Sequence, residues 1–370
     1  MAQMDKSRPL FYIDLYRNVV ELIDPADRQT LTSLCLVCHN FYLESAPRLY
    51  HTFRYSQART GKFSHMQHMR FLETVATSTR CAELVRSYSV FSSSGQPEVW
   101  NALPSLTNMV SLSMSYSEDA ISPQHPIEQV LDKSAFPRLE FFAWNCVTKA
   151  EALCQFFQRH PGLRGIFIIW SPGDAEALPF PDTLPKLECL KGETPVITAF
   201  IVGRAVERVI WLAHQPSLAS LPPETLGALR NVRHLVLKGP HWVMILSQIA
   251  QDLHRLEVLQ LAKLKHWNMD MLISTIKMLP CIESMIVGDY RGVCGWSSDS
   301  HRFAVDIFKA GHSTLKYVYI KEEAGNRFYR RFFSKWALGD GDAQVLTVES
   351  VRILMEEHWI KEGVIESPSS

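Results

Sequence analysis

The stretch 232-VRHLVLKGPHWVMILSQIAQDLHRLEVLQLA-262 decides the fold. It opens with Val232-x-x-Leu235-x-Leu237 and closes with the same apolar spacing, Leu256-x-x-Leu259-x-Leu261. In an extended chain alternate side chains share a face, so Leu259 and Leu261 go inward while Val258, Gln260 and Ala262 go outward. Between the two phrases Val243, Leu246, Ile249, Ala250 and Leu253 recur at helical spacing and form one apolar stripe. A strand and a helix per unit, stacked side by side, give a parallel sheet lined by helices.

The phrase recurs outward in both directions. Upstream it reads Val85-x-x-Tyr88-x-Val90, Met109-x-x-Leu112-x-Met114, Leu139-x-x-Phe142-x-Trp144, Leu163-x-x-Ile166-x-Ile168 and Val206-x-x-Val209-x-Trp211. Downstream come Ile282-x-x-Met285-x-Val287 and Leu315-x-x-Val318-x-Ile320. Leu187-x-x-Leu190 is incomplete, because Gly192 stands at its last anchor. A second helical stripe, Met269, Leu272, Ile273, Ile276 and Leu279, fills the interval after Leu261. First anchors run from 85 to 315 in ten units, a mean interval of about 26 residues.

This array resembles the leucine-rich-repeat family in a degenerate form. The resemblance implies an irregular right-handed α/β solenoid, with parallel strands on one face and helices on the other. The family's Asn or Cys, three residues after the last anchor, is replaced here by Ser117, Val147, Ser171, Pro240, Leu264 and Tyr290. The polar ladder between coils is therefore missing. On the outward strand positions stand Phe141, Ala143, Asn145, Phe167, Ile169, Ile210, Leu212, His234, Val236 and Lys238. That set is apolar for a solvated face and is read as a substrate-binding surface, with burial under loops as the competing reading.

The first sixty residues break the rhythm. Ile13, Tyr16, Val19, Val20 and Ile23 are helically spaced, and Asp24-Pro25 is a break. Asp27 can cap a second helix along 30-TLTSLCLVCHNFY-42, where Leu31, Leu34, Cys35, Cys38 and Phe41 form a stripe. A third helix would carry Tyr42, Ala46, Leu49, Tyr50 and Phe53. Three short apolar helices cannot bury all that surface alone, so a docking partner is expected.

These residues resemble an F-box. Phe11-Tyr12-Ile13-Asp14-Leu15 stands where the family has Leu-Pro-x-Glu-Leu, Ile23-Asp24-Pro25 is the break, and Leu36-Val37-Cys38-His39-Asn40-Phe41 is the last element. The resemblance implies binding to the Skp adaptor of a cullin–RING ubiquitin ligase, while the repeats hold a protein substrate. The matching positions are Leu15, Val19, Val20, Ile23, Leu31, Leu34, Leu36, Val37 and Phe41. Phe11-Tyr12 in place of Leu-Pro keeps open an alternative, a leucine-rich-repeat scaffold without ligase association. The domain reading is a helical module over 1–60, an array over 61–325 and a helical cap over 326–370. The cap rests on a basic and aromatic segment, 324–336, and on 344-QVLTVESVRILMEEHWIKEG-363, both read as helices.

The chain has 370 residues with 38 basic and 38 acidic side chains, which gives no electrostatic footprint for nucleic acid or an anionic membrane. The start lacks a signal peptide's apolar core, and no apolar run reaches spanning length. Eight scattered cysteines and no Asn-x-Ser/Thr sequon point to a reducing compartment, cytoplasm or nucleus. Cys35-Leu-Val-Cys38-His39 spells a haem-attachment pattern, but both cysteines fit a helical stripe, so neither haem nor zinc is expected. His65 and His68, three apart, read as a solvated helical face. No catalytic motif occurs, so neither enzymatic activity nor a cofactor is expected.

Overall fold

The computed structural model describes residues 9–24, 27–57, 62–92, 97–116, 127–146, 148–168, 183–214, 221–261, 269–287, 300–309, 314–323, 331–337 and 344–347. They fall in two compact units, 1–140 and 141–370. The class is α/β, with parallel strands and helices between them.

The first unit opens with α1 (Pro9–Glu21), α2 (Arg28–Val37) and α3 (His39–His51). Asp27 caps α2, accepting from the Thr30 N–H at 3.0 Å and from the Thr30 hydroxyl at 2.7 Å. These bonds favour the charged carboxylate and hold its pKa below the usual value. The helices break at Cys38, whose extended backbone ends α2 and starts α3. The continuous stripe expected over 30–42 is therefore divided between two helices.

No linker follows. β1 (Thr52–Ser56) starts at the residue after α3, so Phe53 lies in a strand and not in the third helix. Then come α4 (Lys62–Thr77), α5 (Thr79–Leu84), β2 (Ser87–Ser92), α6 (Pro97–Ala102), β3 (Ser111–Tyr116) and α7 (Ile127–Lys133). β1, β2 and β3 pair in parallel, with Phe53, Tyr88 and Leu112 in one row and Tyr55, Val90 and Met114 in the next. Phe53 stacks on Phe71 of α4 with ring centroids 3.9 Å apart. His68, expected on a solvated face, is fully buried, and its Nε2 lies 2.8 Å from the Tyr88 hydroxyl. The aromatic strand residues Phe53 and Tyr55 draw that side of α4 inward, while His65 remains exposed.

The second unit runs β4 (Phe141–Asn145), α8 (Ala150–Arg159), β5 (Gly165–Ile168), β6 (Cys189–Gly192), α9 (Thr194–Ile201) and β7 (Arg208–Leu212). It continues through α10 (Pro223–Leu229), β8 (His234–Lys238), α11 (Trp242–Ile249), β9 (Val258–Leu261), α12 (Met269–Ile276), β10 (Ser284–Val287), α13 (Ser300–Lys309) and β11 (Tyr317–Glu323). From β4 to β11 each strand pairs in parallel with its sequence neighbour. Every anchor residue of the repeated phrase is buried. At the missing anchor, a Cβ on Gly192 would stand 2.6 Å from Val196 Cγ1. The apolar volume absent from the strand is supplied by Val196 of α9, which explains the incomplete phrase.

Successive units are also joined where each strand begins. Glu188, Glu207, Arg233, Glu257, Glu283 and Lys316 each donate a backbone N–H to the equivalent carbonyl one unit earlier, at 2.8–3.0 Å. Arg164–Glu188 at 2.7 Å, Arg233–Glu257 at 2.6 Å and Lys316–Glu283 at 2.9 Å follow the same line. Partly exposed pairs of this kind contribute about 0–1 kcal/mol each.

The helical reading of the C-terminal segments is corrected. β12 (Arg331–Ala337) pairs antiparallel with β11, and β13 (Gln344–Thr347) pairs antiparallel with β12. Phe332, Phe333 and Trp336 in β12, and Val345 and Thr347 in β13, are strand-favouring types. The edge of β11 offers backbone partners to β12, and β12 in turn offers them to β13. Residues 324–330 and 348–370 of the expected cap lie outside the described residues.

Candidate functional site

The nine positions matched to the F-box divide by burial. Val20 and Leu31 are buried and form a cluster with Leu49, against which Ile23, Leu34, Cys35, Phe41 and Tyr50 pack. Phe41 is further held by Tyr16 of α1, edge to face at 4.7 Å. The other four face water: Leu15 is 58% exposed, Val19 37%, Leu36 83% and Val37 64%. Leu22, not singled out in the sequence, is 88% exposed. Its spacing from Leu15 and Val19, seven and three residues, could have marked it as part of their stripe.

The three helices are fixed to each other and to the sheet by polar contacts. Arg17 of α1 reaches Glu44 of α3 at 3.4 Å, and the Arg48 guanidinium donates to the Val20 carbonyl. Arg28 of α2 donates to the Thr52 carbonyl at 3.1 Å and lies 5.1 Å over the Phe53 ring. Burial lowers its pKa from the usual range. The Cys35 thiol is half-buried and its pKa is pushed up by burial, so the haem-like pair is a core contact at Cys35 and an exposed helix junction at Cys38. Among the described residues no group of three or more His, Cys, Asp or Glu side chains is placed to hold a metal ion.

The positions assigned to substrate binding divide differently. Phe167 is 8% exposed, Ile210 8%, Leu212 6% and Val236 5%; they form one apolar cluster, with Ala143 packed against it. Phe141 is likewise buried, its ring lying where a Cβ on Gly165 would stand, 2.6 Å from Phe141 Cδ1. Asn145, His234 and Lys238 are half-buried. Ile169 lies outside the described residues. The sequence reading missed Lys191, which is buried beside this cluster with its ammonium 3.7 Å from the centre of the Phe167 ring. Its register opposite Phe167 and Ile210 was the available signal.

No family model matches this sequence, and no curated protein does. No described helix is long and apolar enough to cross a membrane.

Proposed function

We propose that the chain is a substrate-recruiting subunit of a Skp–cullin–F-box ubiquitin ligase. In this reading α1–α3 are an F-box that binds the Skp adaptor, and the strand–helix units are leucine-rich repeats that hold a protein client. The observation that carries the reading is the exposure of Leu15, Val19, Leu36 and Val37 on α1 and α2. Large aliphatic side chains left in water on consecutive helices, beside a filled core of Val20, Leu31 and Leu49, support a partner surface. Leu15, Val19, Leu36 and Val37 also fall on the positions that carry the sequence resemblance.

The test is capture of the purified adaptor by the full chain. Wild type is expected to capture it, and Val37→Asp to lose capture with an unchanged thermal unfolding midpoint. A well-folded wild-type chain that leaves the adaptor in the flow-through would sink the reading.

A further inference from the structure

Register places the outward positions of β6, β7 and β8 in three rows. Cys189, Arg208 and His234 form the first; Lys191, Ile210 and Val236 the second; Leu212 and Lys238 the third. Neighbouring strands lie ~4.8 Å apart and successive rows ~6.6 Å apart. Arg208, His234, Lys191 and Lys238 therefore surround the aliphatic trio Ile210, Val236 and Leu212. Across β4–β10 the outward positions hold Lys191, Arg208 and Lys238 and no carboxylate. The whole chain has 38 side chains of each sign, so this is local segregation and not composition. Among the described acids, Glu188, Glu257 and Glu283 pair with cations where strands begin, and Glu193 pairs with His214 at 3.4 Å.

We infer that the outward side of β6–β8 takes an acidic segment of a client polypeptide, with carboxylates spaced to reach Arg208 and Lys238. The inference rests on the reading of this array as a client-binding domain and adds the chemistry of the client. Arg208 and Lys238 are two rows apart, ~13 Å along the strands, which is the reach between residues i and i+4 of an extended peptide. Arg208, His234 and Lys238 are the reachable part of the surface, since each is half-buried while the aliphatic trio is nearly closed off. Each of the four basic residues already has a contact within the chain. An arriving carboxylate exchanges with it, so binding is sensitive to salt. The aliphatic centre offers no stacking platform of the kind a single-stranded nucleic acid uses, which favours a peptide.

The experiment is fluorescence anisotropy of the full chain with a labelled glutamate-rich peptide, beside its glutamine counterpart. The acidic peptide should bind at low salt, and the glutamine peptide roughly ten-fold more weakly. Arg208→Gln/Lys238→Gln should lose a similar factor, and Lys238→Gln alone a smaller one should the double variant fail to fold. Lys186→Gln/Lys277→Gln makes the same change of net charge at exposed sites off this face and should bind as wild type. Equal binding of the two peptides, equal losses in the two double variants, or tighter binding of a single-stranded oligonucleotide would each overturn the inference. Adaptor capture by the same preparation separates the two proposals. A chain that captures adaptor but ignores acidic peptide overturns this one alone, and the reverse overturns the ligase reading alone.

Discussion

The N-terminal helices and the sheet of the second unit both carry more apolar residues than one buried face needs, and they dispose of the surplus in opposite ways. On α1 and α2 the surplus stays in water, at Leu15, Val19, Leu36 and Val37, and Leu22 just after α1 is exposed with them. On β5, β7 and β8 it closes into a cluster of Phe167, Ile210, Leu212 and Val236. From the sequence, Leu15, Val19, Leu36 and Val37 read as an adaptor surface, and Phe167, Ile210, Leu212 and Val236 as a substrate surface with burial under loops as the competing reading. A helix separates its stripes by about 100° per residue, so a short three-helix group cannot turn every stripe toward one small core. In a sheet, outward side chains on neighbouring strands stand ~4.8 Å apart and shield each other. Apolarity thus identifies surfaces that want cover, and geometry decides which of them the chain covers itself.

The largest test of this contrast concerns the face that both readings agree is core. Leu259 is fully buried, while Gln260 beside it is half-buried. Leu259→Asp should place an unpaired carboxylate among packed anchors and cost about 3–5 kcal/mol. Gln260→Asp should cost under ~0.5 kcal/mol. Urea unfolding of the two variants measures the difference, and equal losses would contradict the strand register.

The middle test asks whether the second cluster is core too. Ile210→Ala should cost about 2–4 kcal/mol, the loss of a buried branched side chain plus its cavity. An open surface would lose under ~0.5 kcal/mol at the same position. A loss that small would return Ile210, Leu212 and Val236 to the class of exposed residues and weaken the contrast drawn here.

The parallel strands were legible because their signal is redundant. Each unit repeats three anchors at fixed spacing, and one failure at Gly192 leaves the others intact. What the failure means was not legible, since Val196 fills the gap from a helix. β1 was hidden because Tyr50-x-x-Phe53-x-Tyr55, the same spacing in aromatic residues, overlaps the end of α3 and was read as part of that helix. β12 and β13 were read as helices because aromatic and basic residues fit an amphipathic helix as well as a strand. Backbone pairing decides between them, β12 with β11 and β13 with β12. At the candidate site the sequence located the N-terminal helices but could not sort Leu31 from Leu36. Both are leucines in α2, and packing against Val20 of α1 and Leu49 of α3 distinguishes them.

The smallest effect is expected where the apolar surplus is exposed. Leu36→Ser removes a side chain that is in water already, so no cavity forms and no buried contact is lost. Its unfolding free energy should stay within ~0.5 kcal/mol of wild type, although the same change at a buried leucine would cost several times more. Helix propensity moves only a few tenths of a kcal/mol between Leu and Ser, and Leu36 lies in the last turn of α2, where helices are least cooperative. Stability and adaptor capture should therefore come apart at this position. A variant that unfolds like wild type and yet captures less adaptor places Leu36 at a contact surface. A loss above ~2 kcal/mol would instead place it in the core of α1–α3 and erase the difference between the helices and the sheet.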